Sequence, residues 1–174
     1  TGIYVQQTSA TSFNSSIRIQ GLDGKYTQIL QDGMPLYGGY SGGLSLLQIA
    51  PLDLQQVEVI KGSNSTLFGG GAIAGLVNLV TRAPGEEPEN SFLVNLTSAD
   101  GIDTSGFFSR RIGDQNLTLF TSYNSNDAYD PADNGFSAIP EFERWTFKPR
   151  FFFKGANSES VFGFSVITED RLGG

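Results

Sequence analysis

Residues 57–82 read VEVIKGSNSTLFGGGAIAGLVNLVTR, and this stretch decides the fold. A β-branched apolar run ends at Lys61 and Gly62. A short polar turn and a glycine cluster follow, and a second apolar run ends before Arg82. Short apolar runs bounded by turn residues are typical of buried strands. The stretch therefore predicts a strand, a tight turn, one helical turn, a glycine hinge and a second strand.

The composition excludes several kinds of site. The chain of 174 residues contains no cysteine and no histidine. Disulfides, thiolate metal sites, imidazole metal ligands and histidine-based catalytic triads are therefore ruled out within it. The chain also has 22 glycines and 14 phenylalanines, and this richness in turns and aromatic side chains favours a β-protein over a helical bundle.

The net charge of −7 comes from one half of the chain. Residues 1–85 carry four basic and four acidic side chains, whereas residues 86–174 carry seven basic and fourteen acidic ones. Binding of nucleic acid needs a basic surface, so we expect no nucleic-acid partner. No run of about 18 apolar residues is present, so we expect no transmembrane helix; membrane β-strands leave a much weaker hydropathy signal.

Residues 1–85 combine short strands with glycine-rich loops. Asp32-Gly33 is a typical hairpin-turn dipeptide. Pro51 and Asp53 predict a helical turn over Asp53–Gln56, with Asp53 as its N-cap. We predict a small α+β unit with a mixed sheet, whose strands are Ile3–Gln6, Ser16–Gln20, Thr27–Gln31, Val57–Ile60 and Leu76–Thr81.

The second half follows a different pattern. We place the domain limits at residues 1–85, a polar proline-containing connector at 86–89, and residues 90–174. Beyond the connector, five segments alternate between apolar and polar side chains with the period of a strand. These segments are Ser91–Thr97, Thr104–Ile112, Asn116–Asn126, Arg144–Lys154 and Ser160–Thr168.

The fourth segment separates aromatic from polar side chains most clearly. Trp145, Phe147, Phe151 and Phe153 share one face, opposite Thr146, Lys148 and Arg150. This fits antiparallel strands of a transmembrane β-barrel, with lipid outside and a polar lumen inside. Short turns that alternate with the long loop Asp127–Glu143 fit the same architecture. A soluble antiparallel sandwich also alternates, so this half alone leaves both folds open.

Residues 57–82 resemble the plug domain of the TonB-dependent outer-membrane receptor family. The anchor positions of that family's pattern are occupied here by Glu58, Lys61, Gly62, Gly69, Ala72, Gly75, Asn78 and Arg82. A second stretch, residues 17–35, reads IRIQGLDGKYTQILQDGMP and is similar to another plug signature, which includes Asp32 and Gly33. Two signatures in the family's order make the resemblance specific.

The resemblance implies a plug domain over residues 1–85, incomplete at its N-terminus, followed by the first five strands of the barrel. In this family the barrel closes with about 22 strands. An open five-stranded edge would leave backbone groups unpaired in a membrane. We therefore expect the chain to be a fragment of a longer receptor, which would also carry the signal peptide and the TonB box.

The resemblance also implies two groups of site residues in the plug. Plug arginines of this family pair with barrel glutamates. Lys61 keeps one of these basic positions, Gln20 stands at the other, and Arg18 would substitute from the same sheet face. The apices that contact ligand correspond to Phe13, Asn14, Tyr26, Tyr37, Tyr40 and Ser41. Tyrosine suits an organic chelate because it joins apolar area to a hydroxyl, although a flexible glycine loop would also expose tyrosines.

Other candidate sites are weaker. Asp127, Asp130 and Asp133 form a candidate calcium site in the long loop, because Ca²⁺ takes carboxylate oxygens; a solvated acidic loop is the favoured alternative. We expect no other cofactor. The glycines at positions 69–71 and 75 lack the spacing of a phosphate-binding loop. No nucleophile–base arrangement is present, so we expect a protein that is not an enzyme.

The function implied by the resemblance is active import of a scarce nutrient across the bacterial outer membrane, with the plug gating the barrel. A ferric siderophore is the leading cargo, and cobalamin, haem, another metal chelate or a glycan are alternatives. The implied partners are TonB of the TonB–ExbB–ExbD system, the chelate, outer-membrane lipid and a surface lipoprotein. The competing hypotheses are a secreted soluble β-rich binding or adhesion module and a non-transporting subunit of an outer-membrane assembly.

Overall fold

The computed structural model describes residues 2–7, 15–36, 49–62, 72–98 and 100–172. The chain divides into two compact units, Thr1–Thr81 and Arg82–Gly174. The strands of the first unit are β1 (Ile3–Gln7), β2 (Ser15–Ile19), β3 (Thr27–Gln31), β4 (Met34–Pro35), β5 (Leu54–Lys61) and β6 (Gly75–Thr81). The strands of the second unit are β7 (Glu89–Leu96), β8 (Ile102–Ile112), β9 (Gln115–Asn126), β10 (Glu141–Lys154), β11 (Glu159–Gly163) and β12 (Val166–Leu172).

The first unit contains the mixed sheet that the sequence predicts. Its four strands lie in the order β4-β3-β6-β5. Strand β3 runs parallel to β6, whereas β4 and β5 are antiparallel to their neighbours. Strands β1 and β2 form a separate antiparallel pair. Two short 3₁₀-helices, Gly24–Tyr26 and Pro51–Asp53, precede β3 and β5.

The turn between β3 and β4 confirms the prediction from Asp32-Gly33. Gln31 pairs with Met34, so the loop has two residues. The φ angles of Asp32 and Gly33 are 50° and 79°. A two-residue turn with positive φ at both positions matches the twist of the strands it joins, and Asp-Gly is among the sequences that adopt it most readily.

Strand β6 lies at the centre of the first unit. Its residues are buried at all positions except Asn78 and Val80, which are half-buried. The core cluster contains Val77 and Leu79 of this strand together with Ile19 and Ala74. A strand covered on both faces needs a nearly continuous apolar sequence, and residues 76–80 supply it.

Two local predictions in this unit are wrong. The helical turn covers Pro51–Asp53, its N-cap is Ala50, and β5 begins at Leu54. Proline at the first helical position starts the turn, and the pairing of Leu54 with Thr81 then draws the chain into the sheet. Strand β2 ends at Ile19, and Gln20 has a φ of 54°. The alternation that would place Gln20 on the face of Arg18 therefore does not reach it.

The second unit is an antiparallel sheet in which β7, β8, β9 and β10 follow one another in space as in sequence. Both β11 and β12 pair with the other edge of β10. The predicted fifth strand is therefore present but interrupted. Phe164 donates its backbone N–H to the Pro149 carbonyl at 3.3 Å, and proline has no N–H to return.

The two faces of this sheet are buried unequally. On β10, Trp145 is 54% exposed and its neighbour Thr146 is 3% exposed. The same contrast continues along the strand, where Phe147, Phe151 and Phe153 are exposed. A water-soluble sheet would bury its aromatic face, so this arrangement favours the barrel interpretation over the sandwich. Within the described ranges, none of the helices has the length and hydropathy required to cross a membrane.

Candidate functional site

Three of the plug-motif residues, Gly33, Glu58 and Asn78, meet in one hydrogen-bonded network. Glu58 on β5 lies opposite Asn78 on β6. The Asn78 amide nitrogen donates to Glu58 Oε2 at 2.9 Å, while its Oδ1 accepts the Gly33 backbone N–H at 3.0 Å. The other Glu58 oxygen accepts from the Gln56 amide at 2.7 Å. Asn78 therefore joins the β5–β6 pair to the turn that follows β3.

Asp32 connects the same turn to the end of the central strand. Its Oδ1 accepts the Thr81 backbone N–H at 2.8 Å, and its Oδ2 accepts the Thr81 hydroxyl at 2.8 Å. The Asp32 N–H in turn donates to the Leu79 carbonyl at 3.0 Å. Hydrogen bonds to an ionised carboxylate are stronger than neutral ones, so this contact fixes the last residue of the first unit.

The opposite end of the sheet depends on Gly75. It lies opposite Lys61, and its φ of 145° is rare for residues with a side chain. A Cβ at this position would overlap the Ile60 carbonyl oxygen. Gly62 donates its N–H to the Ala74 carbonyl at 3.0 Å, and this bond closes the same end of the sheet. Ala72, two residues before Ala74, is fully buried. Of the motif residues, Gly69 lies outside the described residues.

The predicted latch residues are both present in the first unit. The Arg18 guanidinium donates to Gln6 Oε1 at 2.8 Å and to the Leu22 carbonyl at 3.3 Å. Lys61 is the last residue of β5. The pairing of these two residues with barrel glutamates stays a prediction.

Most of the predicted ligand contacts fall on positions outside the described residues, namely Phe13, Asn14, Tyr37, Tyr40 and Ser41. Tyr26, which is described, ends the 3₁₀-helix Gly24–Tyr26 and is half-buried against the core cluster. The Lys25 ammonium lies 5.0 Å from the centre of its ring. This residue therefore anchors the helix to the core, and ligand contact by the tyrosines stays a prediction.

The long loop of the second unit is organised by Asp130. Its carboxylate accepts backbone N–H groups from Ala132, Asn134 and Gly135 at 3.2, 3.0 and 2.8 Å. Among the described residues, which include the whole loop, the structure gathers no group of three acidic side chains in metal-binding proximity. The calcium site at Asp127, Asp130 and Asp133 stays a prediction.

Sequence reasoning missed an ion cluster on β10 and β12. Glu169 lies opposite Arg144 and accepts from its Nε at 2.7 Å. Arg171 binds the other Glu169 oxygen at 2.6 Å. Both guanidinium groups also lie over the Phe142 ring, at 5.3 and 5.6 Å. The sequence shows charged residues at 169–171 and an arginine at 144. Only the strand register shows which of these charges lie opposite each other.

The comparison with known families gives a match at the N-terminal part of the chain. Residues 1–76 match the family model "TonB-dependent Receptor Plug Domain". This confirms the resemblance drawn from residues 17–35 and 57–82. The matched family consists of receptors and not of enzymes, in agreement with the expectation that the chain has no catalytic role.

Solved structures with the same fold include three receptors. The ferric yersiniabactin uptake receptor FyuA from Yersinia pestis has a TM-score of 0.72 at 21% identity, over 97% of this chain and 27% of that one. The Ferric-Catecholate import receptor Fiu from E. coli K12 has a TM-score of 0.73 at 20% identity, over 97% of this chain and 23% of that one. The pyoverdine outer membrane receptor FpvA from Pseudomonas aeruginosa PAO1 has a TM-score of 0.73 at 18% identity, over 98% of this chain and 24% of that one. The chain thus spans about a quarter of the length of these receptors.

Proposed function

Because residues 1–76 match the plug-domain model of the TonB-dependent receptors, we propose that the chain serves in the import of an iron–siderophore chelate across the bacterial outer membrane. The observation that carries this proposal is the plug match itself. Two features of the structure agree with it: the hydrogen-bonded network of the plug motif and the exposed aromatic face of the second unit.

The plug network supports a gating role. Asp32, Gly33, Glu58 and Asn78 come from both plug signatures, and together they join strands β5 and β6 to the turn that follows β3. The bonds of Asn78 with Glu58 and Gly33 are exposed, whereas those of Asp32 with Thr81 are partly buried. Water can replace the exposed bonds, so the turn can separate from Asn78 while the Asp32 contact and the apolar core hold together.

The second unit supports residence in the outer membrane, where this receptor family is found. Its strands expose phenylalanine and tryptophan on one face; the other face buries threonine, serine and arginine together with Phe107 and Phe120. An exposed aromatic face opposite a face that carries buried polar side chains fits outer-membrane strands. Outer-membrane lipid is therefore the environment that we propose for the exposed face.

The structural neighbours support an iron chelate as the proposed cargo. FyuA, Fiu and FpvA are described as receptors for ferric yersiniabactin, ferric catecholate and pyoverdine. We extend the common class, an iron chelate, to this chain. Cobalamin, haem and a glycan are the competing cargoes, and TonB with ExbB and ExbD is the proposed source of energy. A surface lipoprotein partner and a calcium ion are retained as weaker hypotheses.

Uptake of radioactive iron tests the proposal. Cells that carry the native protein, cells that lack its gene and cells that lack TonB receive a panel of ferric siderophores under iron starvation. We expect uptake of at least one chelate to require both the gene and TonB. Equal uptake in the gene-deleted cells for every chelate would contradict the proposal.

The same cells separate the competing functions. Gene-dependent uptake of labelled cobalamin, haem or a glycan in place of iron would keep the import role and replace the cargo. Gene-dependent binding of chelate at the cell surface, without TonB-dependent uptake, would support the non-transporting subunit. Recovery of the protein from the culture medium instead of the outer membrane would support the secreted binding module.

A further inference from the structure

The boundary between the two units lies between two neighbouring residues that are each fixed. Thr81 closes the first unit and is held there by both oxygens of Asp32. Arg82 opens the second unit.

Arg82 is held within the second unit by its side chain. Its Nη1 forms an ion pair with Glu89 Oε1 at 2.8 Å and lies 3.4 Å from Ser91 Oγ. Ser91 itself donates to Glu89 at 2.8 Å. The Arg82 guanidinium also lies 5.2 Å from the centre of the fully buried Phe107 ring. These contacts attach Arg82 to β7 and β8.

The backbone of Arg82 is held as well. Arg150 on β10 donates from Nη2 to the Arg82 carbonyl at 3.0 Å, across 68 positions of sequence. The residue is thus bound to strands β7, β8 and β10 of one sheet, in which β9 lies between β8 and β10. Planar guanidinium groups suit this role because each presents several donors in a fixed geometry.

The ion pair also closes a loop. Residues 83–88 leave Arg82 and return to Glu89, and they are mostly exposed. If Arg82 were released, these six residues could extend by about 20 Å. We call these contacts of Arg82 the clamp; its other members are Glu89, Ser91, Phe107 and Arg150. While the clamp holds, residues 83–88 cannot extend when the chain before Arg82 moves.

We propose that Arg82 is a positioning residue that anchors the plug to the barrel strands, so that rearrangement of the plug during transport ends at Thr81. This inference rests on the proposed import function for its role in transport, but the clamp itself is independent of it. A force applied to the plug is transmitted through the backbone to Arg82, and the clamp distributes this force over strands β7, β8 and β10. Without the clamp, the force would first extend residues 83–88.

Spin labels test the clamp without any transport. The chain has no cysteine, so Glu87→Cys in the loop and Asn157→Cys in the turn after β10 give one labelled pair within the second unit. We expect a narrow distance distribution in the otherwise native protein and a roughly twofold broader one after Arg82→Ala. The control Arg111→Ala removes an exposed arginine paired with Asp114 and should leave the distribution unchanged. An unchanged distribution in Arg82→Ala would overturn the proposal.

A second variant protects the test against misfolding. Glu89→Gln keeps the shape of the partner but removes its charge, and Glu89 is only partly buried. It should broaden the distribution less than Arg82→Ala, and Arg82→Lys should do the same because it keeps the charge without the fork of donors. Native-like distributions in all three variants would show that the contacts do not restrain the loop.

Transport measurements then test the role of the anchor. In Arg82→Ala cells we expect chelate binding at the surface to stay within about twofold of the native value while TonB-dependent uptake falls roughly tenfold. Equal losses of binding and uptake would reveal general damage and overturn the positioning role, as would unchanged uptake with a broadened distance distribution. If the native protein imports nothing, the proposed function fails, and the spin-label result still decides whether the clamp exists.

Discussion

Asn78 lies directly opposite Glu58 and donates to its carboxylate while accepting the N–H of the Gly33 turn. Substitution Asn78→Asp keeps the acceptor for Gly33 but places a second carboxylate against Glu58. We expect the first unit to lose about 1 kcal/mol, because like charges on facing strand positions repel and the amide donor is lost. Scanning calorimetry of the purified protein in detergent measures the change.

A matched pair in the second unit controls for charge alone. Asn95 donates to Asp103 at 3.0 Å from the facing strand position, without the link to the Gly33 turn that Asn78 makes. Asn95→Asp should therefore destabilise less than Asn78→Asp. Equal losses would show that the contact with the turn adds nothing.

Asp32→Ala removes both acceptors of Thr81 and places alanine at a φ of 50°. We expect a loss of about 3 kcal/mol from two charge-assisted hydrogen bonds and the backbone strain together. Asp133 has a φ of 49° in the exposed loop, so Asp133→Ala carries only the backbone part, about 1 kcal/mol. Chemical denaturation of both variants separates the two terms. A similar loss in both would contradict the importance of the Thr81 contact.

Gly75→Ala should prevent the sheet of the first unit from closing at the Lys61 end. The added Cβ meets the Ile60 carbonyl oxygen, a backbone atom that cannot turn away, and we expect a cost above about 4 kcal/mol. Gly21→Ala is the control, since its φ is 79° but nothing lies within 4 Å of the added carbon, and we expect about 1 kcal/mol. Trypsin sensitivity of residues 1–81 in folded protein measures the effect. Native resistance in Gly75→Ala would refute it.

Glu169→Gln leaves two arginines facing each other with a neutral partner. The Arg144 and Glu169 side chains are 6% and 14% exposed, so we expect a loss of about 3 kcal/mol. Lys154 and Glu159 form an exposed pair at 3.5 Å, and Glu159→Gln should cost less than about 0.5 kcal/mol. Heat-induced unfolding of the second unit in detergent compares the two. If both changes cost the same, the cluster does not stabilise β10 and β12.

Asp130→Ala should loosen the long loop. The backbone amides of Ala132, Asn134 and Gly135 lose their acceptor, and we expect their hydrogen exchange to rise roughly tenfold. Asp127→Ala is the comparison variant. Added Ca²⁺ tests the calcium hypothesis in the native protein, since a bound ion would slow exchange across the loop and a solvated acidic loop would show no change.

The strands of both units could be predicted because their periodicity is local. Alternation around Trp145 and Phe147 predicted β10, and the Asp32-Gly33 dipeptide predicted a turn that depends on two φ angles. Tertiary pairing decided the rest. Leu54 joins β5 because Thr81 lies opposite, and the fifth strand breaks because of Pro149 on its neighbour.

The candidate site was predictable as a set of residues but not as a set of contacts. The motif residues Glu58 and Asn78 were identified, whereas their bond follows from register alone. The clamp at Arg82 could not be found in the sequence, because Arg150 reaches it across 68 positions. Nothing local in either segment indicates the other.

The connectivity of the two sheets also sets an order in time. Strands β7 to β10 each pair with their sequence neighbour, so this sheet can grow one hairpin at a time as the chain leaves the ribosome or enters the membrane. Strand β3 pairs on one edge with β6, and this parallel partner begins 48 residues later in the chain, at Gly75. The first half of the chain is synthesised first but cannot complete its sheet until residue 81 has been made, so we expect it to be the slower half to mature.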